Sequence, residues 1–260
     1  MKNRVIVLMS ITLIILVFAL SDARNIFLGN VVNRGHDGYY VLDTHGDLYV
    51  TGSAKHMGDL GFDQNVAVDL EVVDDGYYIL DVYGKVFSFG SAVFYGESNL
   101  DHNAAALAVK DEGYYILDSE GRVHEYGFIE HYGEGINGTY VDIEVTPYGY
   151  YLLKNNGEVE AYGDAVFYGN APITSPAKAL ELTEQGYAIL DADGTLYFFG
   201  NAHDLGSVNE ETVTDFVFIP QFEGYYVLDC HGVVYSFEAY AGFYPPEYRE
   251  ECEYLDLELV

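Results

Sequence analysis

Positive charge is what this sequence has least of. Of its 260 residues only 11 are lysine or arginine, against 42 aspartate or glutamate, for a net charge of −31. Recognition of nucleic acid needs clustered basic residues to neutralise phosphates, and none can be clustered here, so nucleic acid is excluded as a partner. Anionic membrane surfaces are disfavoured for the same reason. Signatures of catalysis are missing too. Arg24, Arg34, Arg122 and Arg249 are the only arginines past residue 23, too few for the carboxylate-binding cluster of a sialidase. There is no Ser-His-Asp signature, no phosphate-cradling glycine loop and no metal-spaced histidine pair. The acidic residues form no compact run, so the charge reads first as solubility, and divalent cations or cationic partners are the binding classes it favours. There are two cysteines, Cys230 and Cys252. In an oxidising compartment they could bridge a loop of about 22 residues, worth on the order of 3 kcal/mol; they could equally be two free thiols.

One long apolar run is present, from Val5 to Leu20, behind Lys2 and Arg4. It is short for a bilayer span and has the shape of a secretory h-region. Ser21-Asp22-Ala23 offers small residues for cleavage after Ala23. Residues 1–23 are therefore expected to be a signal peptide or, uncleaved, an N-terminal anchor. Residues 24–260 form the exported part, secreted, periplasmic or on the cell surface. No cysteine follows the run, which argues against a lipoprotein.

Six copies of one unit fill that part: "GYYVLDTHGDLYVTG", "GYYILDVYGKVFSFG", "GYYILDSEGRVHEYG", "GYYLLKNNGEVEAYG", "GYAILDADGTLYFFG" and "GYYVLDCHGVVYSFE", beginning at Gly38, Gly76, Gly113, Gly149, Gly186 and Gly224. The spacing of 36 to 38 residues identifies a repeat protein. "GYYIL" and "KVFSF" are β-branched and aromatic runs too short for helices. The Asp-x-x-Gly between them is turn chemistry, so each pair is a hairpin. A further strand precedes each Gly-Tyr, as in "VAVDLEVV" (66–73), and another is expected at "AVFYG" (92–96). Four antiparallel strands in about 37 residues make a propeller blade. The strand count balances if "YLDLELV" (254–260) completes the first copy, and "NIFLGN" (25–30) could act as an outer strand of the last. The expected fold is all-β, a six-bladed β-propeller closed by the C-terminal strand. Eleven of the 26 tyrosines lie in the Gly-Tyr units, where they read as packing between blades. Tyr83, Tyr240 and Tyr244 lie off that pattern.

The repeat resembles the Gly-Tyr-Trp/Tyr units of exported bacterial β-propellers and, more distantly, NHL-type blades. Departures are Lys154 for Asp, Ala188 for the second tyrosine and Glu238 for Gly. The resemblance implies that the strand before each Gly-Tyr is innermost, lining a central channel. Counted back from the Gly-Tyr, Asp69, Glu71, Asp142, Glu144 and Glu181 match one another, and Asp256 and Glu258 match them from the C-terminus. Copy three has Ala106 and Ala108 there, and Asp215 lies near the matching place in copy six. Such a ring suits calcium or another cation, or simply lines a wet channel. Inside the turns, His45, Tyr83, Glu120, Asn156, Asp193 and His231 are free of architectural duty and are expected at one mouth. His45, His231 and Cys230 are a candidate transition-metal set, although solvated turn histidines are commoner. The expected function is a non-catalytic, monomeric binding module for a protein, glycan or small-molecule ligand. A calcium-dependent hydrolase or lyase acting at the channel mouth and a purely structural cell-surface module are the alternatives.

Overall fold

A computed structural model describes residues 38–97, 100–208, 212–219, 224–238 and 246–260. The expected signal peptide, the "NIFLGN" segment, Tyr240 and Tyr244 lie outside the described residues. No helix among the described residues is long and apolar enough to cross a membrane.

The strands run in chain order as β1 (Tyr39–Asp43), β2 (Leu48–Val50), β3 (Ala67–Val73), β4 (Gly76–Asp81), β5 (Val86–Gly90), β6 (Ala104–Lys110), β7 (Gly113–Asp118), β8 (Val123–Gly127) and β9 (Tyr140–Thr146). They continue as β10 (Gly149–Lys154), β11 (Val159–Gly163), β12 (Ala177–Thr183), β13 (Gly186–Asp191), β14 (Leu196–Gly200), β15 (Val213–Ile219), β16 (Gly224–Asp229), β17 (Val234–Phe237) and β18 (Tyr254–Leu259). They form six three-stranded antiparallel sheets. We number the sheets as blades. Blade 1 is β18-β1-β2, blade 2 is β3-β4-β5, and the same order continues to blade 6, β15-β16-β17. The first strands touch in the cyclic order β3, β6, β9, β12, β15, β18 and back to β3. They are innermost, as the resemblance implies.

Each hairpin is held as its turn chemistry requires. Asp81 accepts hydrogen bonds from the amides of Tyr83 and Lys85, both 2.9 Å, and Gly84 follows with φ 85°, a conformation cheap only for glycine. Lys154, standing for Asp in blade 4, reaches Glu160 at 2.8 Å instead. At the other end of the hairpin Gly76 lies opposite Gly90. A Cβ on Gly76 would lie 2.5 Å from the Phe89 carbonyl oxygen, so only glycine fits.

The tyrosines join neighbouring blades. Tyr40 meets Tyr77, Tyr78 meets Tyr114, Tyr115 meets Tyr150 and Tyr151 meets Tyr187, at ring-centroid distances of 5.2 to 5.3 Å. Tyr226 meets Tyr39 at 5.9 Å. The junction of blades 5 and 6 lacks such a pair because Ala188 has no ring, and Phe198 and Phe218 pack on Tyr225 instead.

The expected strand at 92–96 is absent: among the described residues each blade has three strands, not four. Gly90 turns the chain with φ 64°, and after a single bond from the Ala92 amide to the Phe89 carbonyl at 3.3 Å the segment bonds to tyrosine hydroxyls. The Tyr78 hydroxyl donates to the Val93 carbonyl at 2.8 Å, and the Tyr114 hydroxyl of blade 3 accepts from the Gly96 amide at 3.0 Å and donates to its carbonyl. Blades 4 and 5 repeat this through Tyr187, which bonds Tyr168 and Gly169. Side chains here satisfy backbone groups that a fourth strand would otherwise pair.

Candidate functional site

The innermost strands carry carboxylates at two levels. The level nearer the Asp-x-x-Gly turns is Asp69, Ala106, Asp142, Ala179, Asp215 and Asp256, each paired across its sheet with the corresponding leucine of the middle strand. Two residues further along lie Glu71, Ala108, Glu144, Glu181, Val217 and Glu258. The six first-level residues all line one central cavity of about 80 Å³.

The aspartates are built into the architecture. Asp256 accepts a hydrogen bond from the Leu70 amide at 2.5 Å, Asp69 from Leu107 at 2.5 Å, Asp142 from Leu180 at 2.6 Å and Asp215 from Leu257 at 2.8 Å. Each bond runs from one blade to the next. The first strand is an edge strand on its channel side, and these carboxylates satisfy amides that its ladder leaves unpaired. Ala106 and Ala179 forgo the bond at their junctions. Glu71, Glu144, Glu181 and Glu258 differ: among the described residues they have no hydrogen-bond or ion-pair partner.

Burial, and then repulsion between the acids, pushes the carboxyls of Asp69, Glu71, Glu144, Glu181, Asp215 and Glu258 well above the usual carboxylate range. Burial pushes Asp142 up to about 7 against the pull of the Leu180 and Ile143 amides. Asp256 is also raised by burial, but Asp69 and Asp215 hydrogen-bond to it and hold it lower. The arrangement is an acid cluster with hard oxygen donors, chemistry suited to storing protons or holding a cation. Lys178 also lines its cavity but makes no ion pair with the acids among the described residues.

The turn positions divide into two groups. Tyr83, Glu120, Asn156 and Asp193 are exposed at their mouth, Tyr83 at 62%. His45 and His231 are half-buried. The candidate transition-metal set is corrected here. Cys230 is disulfide-bonded to Cys252, which removes its sulfur as a ligand, and His231 Nδ1 lies 2.9 Å from the Arg249 carbonyl oxygen. His45 instead groups with Asp43 and Glu253. Arg249 already occupies that place, 2.9 Å from Asp43 and paired with Glu253, its guanidinium over the rings of Tyr49 and Tyr254. A guanidinium between those carboxylates neutralises them as a metal would.

Counting back from Gly-Tyr missed the place of Asp215. Four residues separate Ile219 from Gly224, against two between Val73 and Gly76, so the count slips. Aligning on the opening Val213-Thr214-Asp215 would have found it. Arg249 lies outside the repeat and left no signal.

No protein family and no curated protein matches the chain. Among solved structures it is similar to a chain of a nidogen/laminin complex, with a TM-score of 0.60 at 10% identity over 85% of this chain and 97% of that one. The fold is a β-propeller. A computationally designed protein, Ika8, is similar with a TM-score of 0.51 at 12% identity, over 81% and 88% of the two chains. At such identity the likeness carries the propeller architecture and no activity.

Proposed function

We propose that this propeller is an exported, non-catalytic interaction module that offers the Asp-x-x-Gly mouth to a protein, glycan or small-molecule partner. The observation that carries this reading is the division of labour within each turn. The buried aspartate or lysine and the glycine build the turn, helped in blade 4 by Asn156, which accepts from the Glu158 amide at 3.1 Å, while Tyr83, Glu120, Asn156 and Asp193 are exposed and differ from blade to blade. A scaffold that fixes its frame and varies its tips is suited to recognition. Partner engagement by propellers is supported by analogy alone, in that a similar fold occurs in a nidogen/laminin complex. The test is a glycan and peptide array probed with the full chain and with a variant carrying serine at all four positions. Ligands lost by that variant support the reading; an unchanged pattern overturns it.

A second reading is favoured by the unpartnered glutamates: the channel holds a divalent cation such as calcium, either as a structural element or in the service of a hydrolase or lyase. Calorimetric titration of chelated protein tests it. Absence of both heat and thermal shift would dispose of the cation, and unaltered turnover after Glu71→Gln and Glu144→Gln would dispose of the enzyme.

A further inference from the structure

At the strand ends opposite the Asp-x-x-Gly turns, neighbouring blades leave grooves, and lysines of the chain itself reach across two of them, Lys110 along an aromatic ring and Lys55 as an exposed ion pair. Between blades 3 and 4, Lys110 at the end of β6 donates through Nζ to the Pro147 carbonyl at 2.7 Å. Its ammonium lies 5.1 Å from the centre of the Tyr132 ring. Between blades 1 and 2, Lys55 reaches Asp75 at 2.7 Å. The groove between blades 4 and 5 has the same parts without the lysine. Thr146 stands where Lys110 does, Tyr168 where Tyr132 does and Glu184 where Pro147 does, and all three line a cavity of about 250 Å³.

The chemistry of this groove is complementary to a cation. Asp164 and Glu184 are both lining residues and both exposed; Asp164 spends one oxygen on Thr146 and the Tyr148 amide. No lysine or arginine lines the groove. Next to it, sharing Leu182, Thr183 and Glu184, lies a second cavity of about 350 Å³ whose walls include the apolar Phe218 and Ile219. An ammonium over an aromatic face beside a carboxylate is favourable, and an apolar side chain next to it would bury surface in the second cavity.

We propose that the groove between blades 4 and 5 docks a lysine-bearing, extended segment of a partner polypeptide. The lysine stem lies along Tyr168, its ammonium takes the position that Lys110 occupies one blade earlier, and a neighbouring apolar side chain enters the cavity beside Phe218. A strongly acidic chain steers such a segment inward. The surface is separate from the Asp-x-x-Gly mouth.

The experiment is fluorescence anisotropy at low salt, using the full chain and a labelled, end-capped Ala-Leu-Lys-Leu-Ala peptide beside its glutamine analogue. The wild type binds the lysine peptide and binds the glutamine analogue about tenfold more weakly. Glu184→Gln weakens the lysine peptide several-fold without lowering the unfolding temperature. Thr146→Lys abolishes binding by filling the groove from within, as Lys110 does in blade 3. Equal affinity for the two peptides, or undiminished binding by Thr146→Lys and Glu184→Gln, overturns the proposal. So does spermidine binding without peptide binding, since the occupant would then be a free amine. The four-serine mouth variant retains this binding, so failure here and failure of the mouth reading are distinguishable.

Discussion

Replacing Glu144 by glutamine should make this protein more stable at pH 8, although the residue is native and faces the channel. Glu144 makes no hydrogen bond or ion pair among the described residues, so the substitution removes charge and leaves the bonding unchanged. Burial first, then Asp142 and Glu258, raise its pKa. The scale comes from Coulomb's law: like charges about 10 Å apart at an effective dielectric constant of about 20 repel by about 1.7 kcal/mol, so removing the charge of Glu144 should be worth on the order of 1–2 kcal/mol. The sign follows from proton linkage. A carboxyl whose pKa is raised on folding binds its proton more tightly in the folded state. Its stabilisation is therefore complete below the unfolded value and is lost as pH rises through the folded one. Wild type should be most stable near pH 4–5 as far as these groups decide, and should lose stability toward pH 8. Glu144→Gln should match wild type at pH 4.5 and exceed it at pH 8 by about 2–8 °C in unfolding temperature. Circular dichroism melts in chelator at low salt, at both pH values, provide the assay. A variant that melts at or below wild type at pH 8 would refute the channel electrostatics described above.

Four other outcomes follow. Tyr150→Phe removes the hydroxyl that joins Tyr132 and Gly133 to blade 4 and should cost about 1–3 kcal/mol, read as a lower urea midpoint at unchanged slope. Arg249→Met leaves Asp43 buried without its guanidinium and should cost about 3–5 kcal/mol, more at pH 8 than at pH 5, by calorimetry. Reduction of the Cys230–Cys252 bridge, which spans 22 residues, should lower stability by about 3 kcal/mol, compared by melting with and without dithiothreitol. Deleting Tyr254 to Val260 takes the first strand from blade 1 and should abolish cooperative unfolding, and a truncated chain with an unchanged transition would contradict the pairing of β18 with β1.

The hairpins, their turns and the inner strands were legible because each is encoded locally, by Asp-x-x-Gly, by Gly-Tyr-Tyr and by alternating apolar residues. The segment at 92–96 looked like a strand for an equally local reason, its β-prone composition. What decides its fate is a hydroxyl from the following blade, 18 residues further on, and no propensity reports that. The channel acids were legible as a periodic pattern until the loop before Gly224 lengthened and hid Asp215. Whether an acid is structural or free was not legible at all. Asp69 and Glu71 lie two residues apart, and it is the neighbouring blades, through the Leu107 amide and Asp256, that make the first a rivet and leave the second unpaired.

The pairing of β18 with β1 has a kinetic side. Val41 lies opposite Leu257, so the sheet that contains the first strand of the repeat waits for a strand made about 200 residues later. Contacts of such sequence separation carry the largest loop-closure cost and form late. Blades 2 to 6 can assemble from neighbouring segments as they are synthesised, while β1 and β2 remain a bare hairpin, which is marginally stable by itself. During that interval the emerging chain has an open edge, and the arrival of β18 removes it.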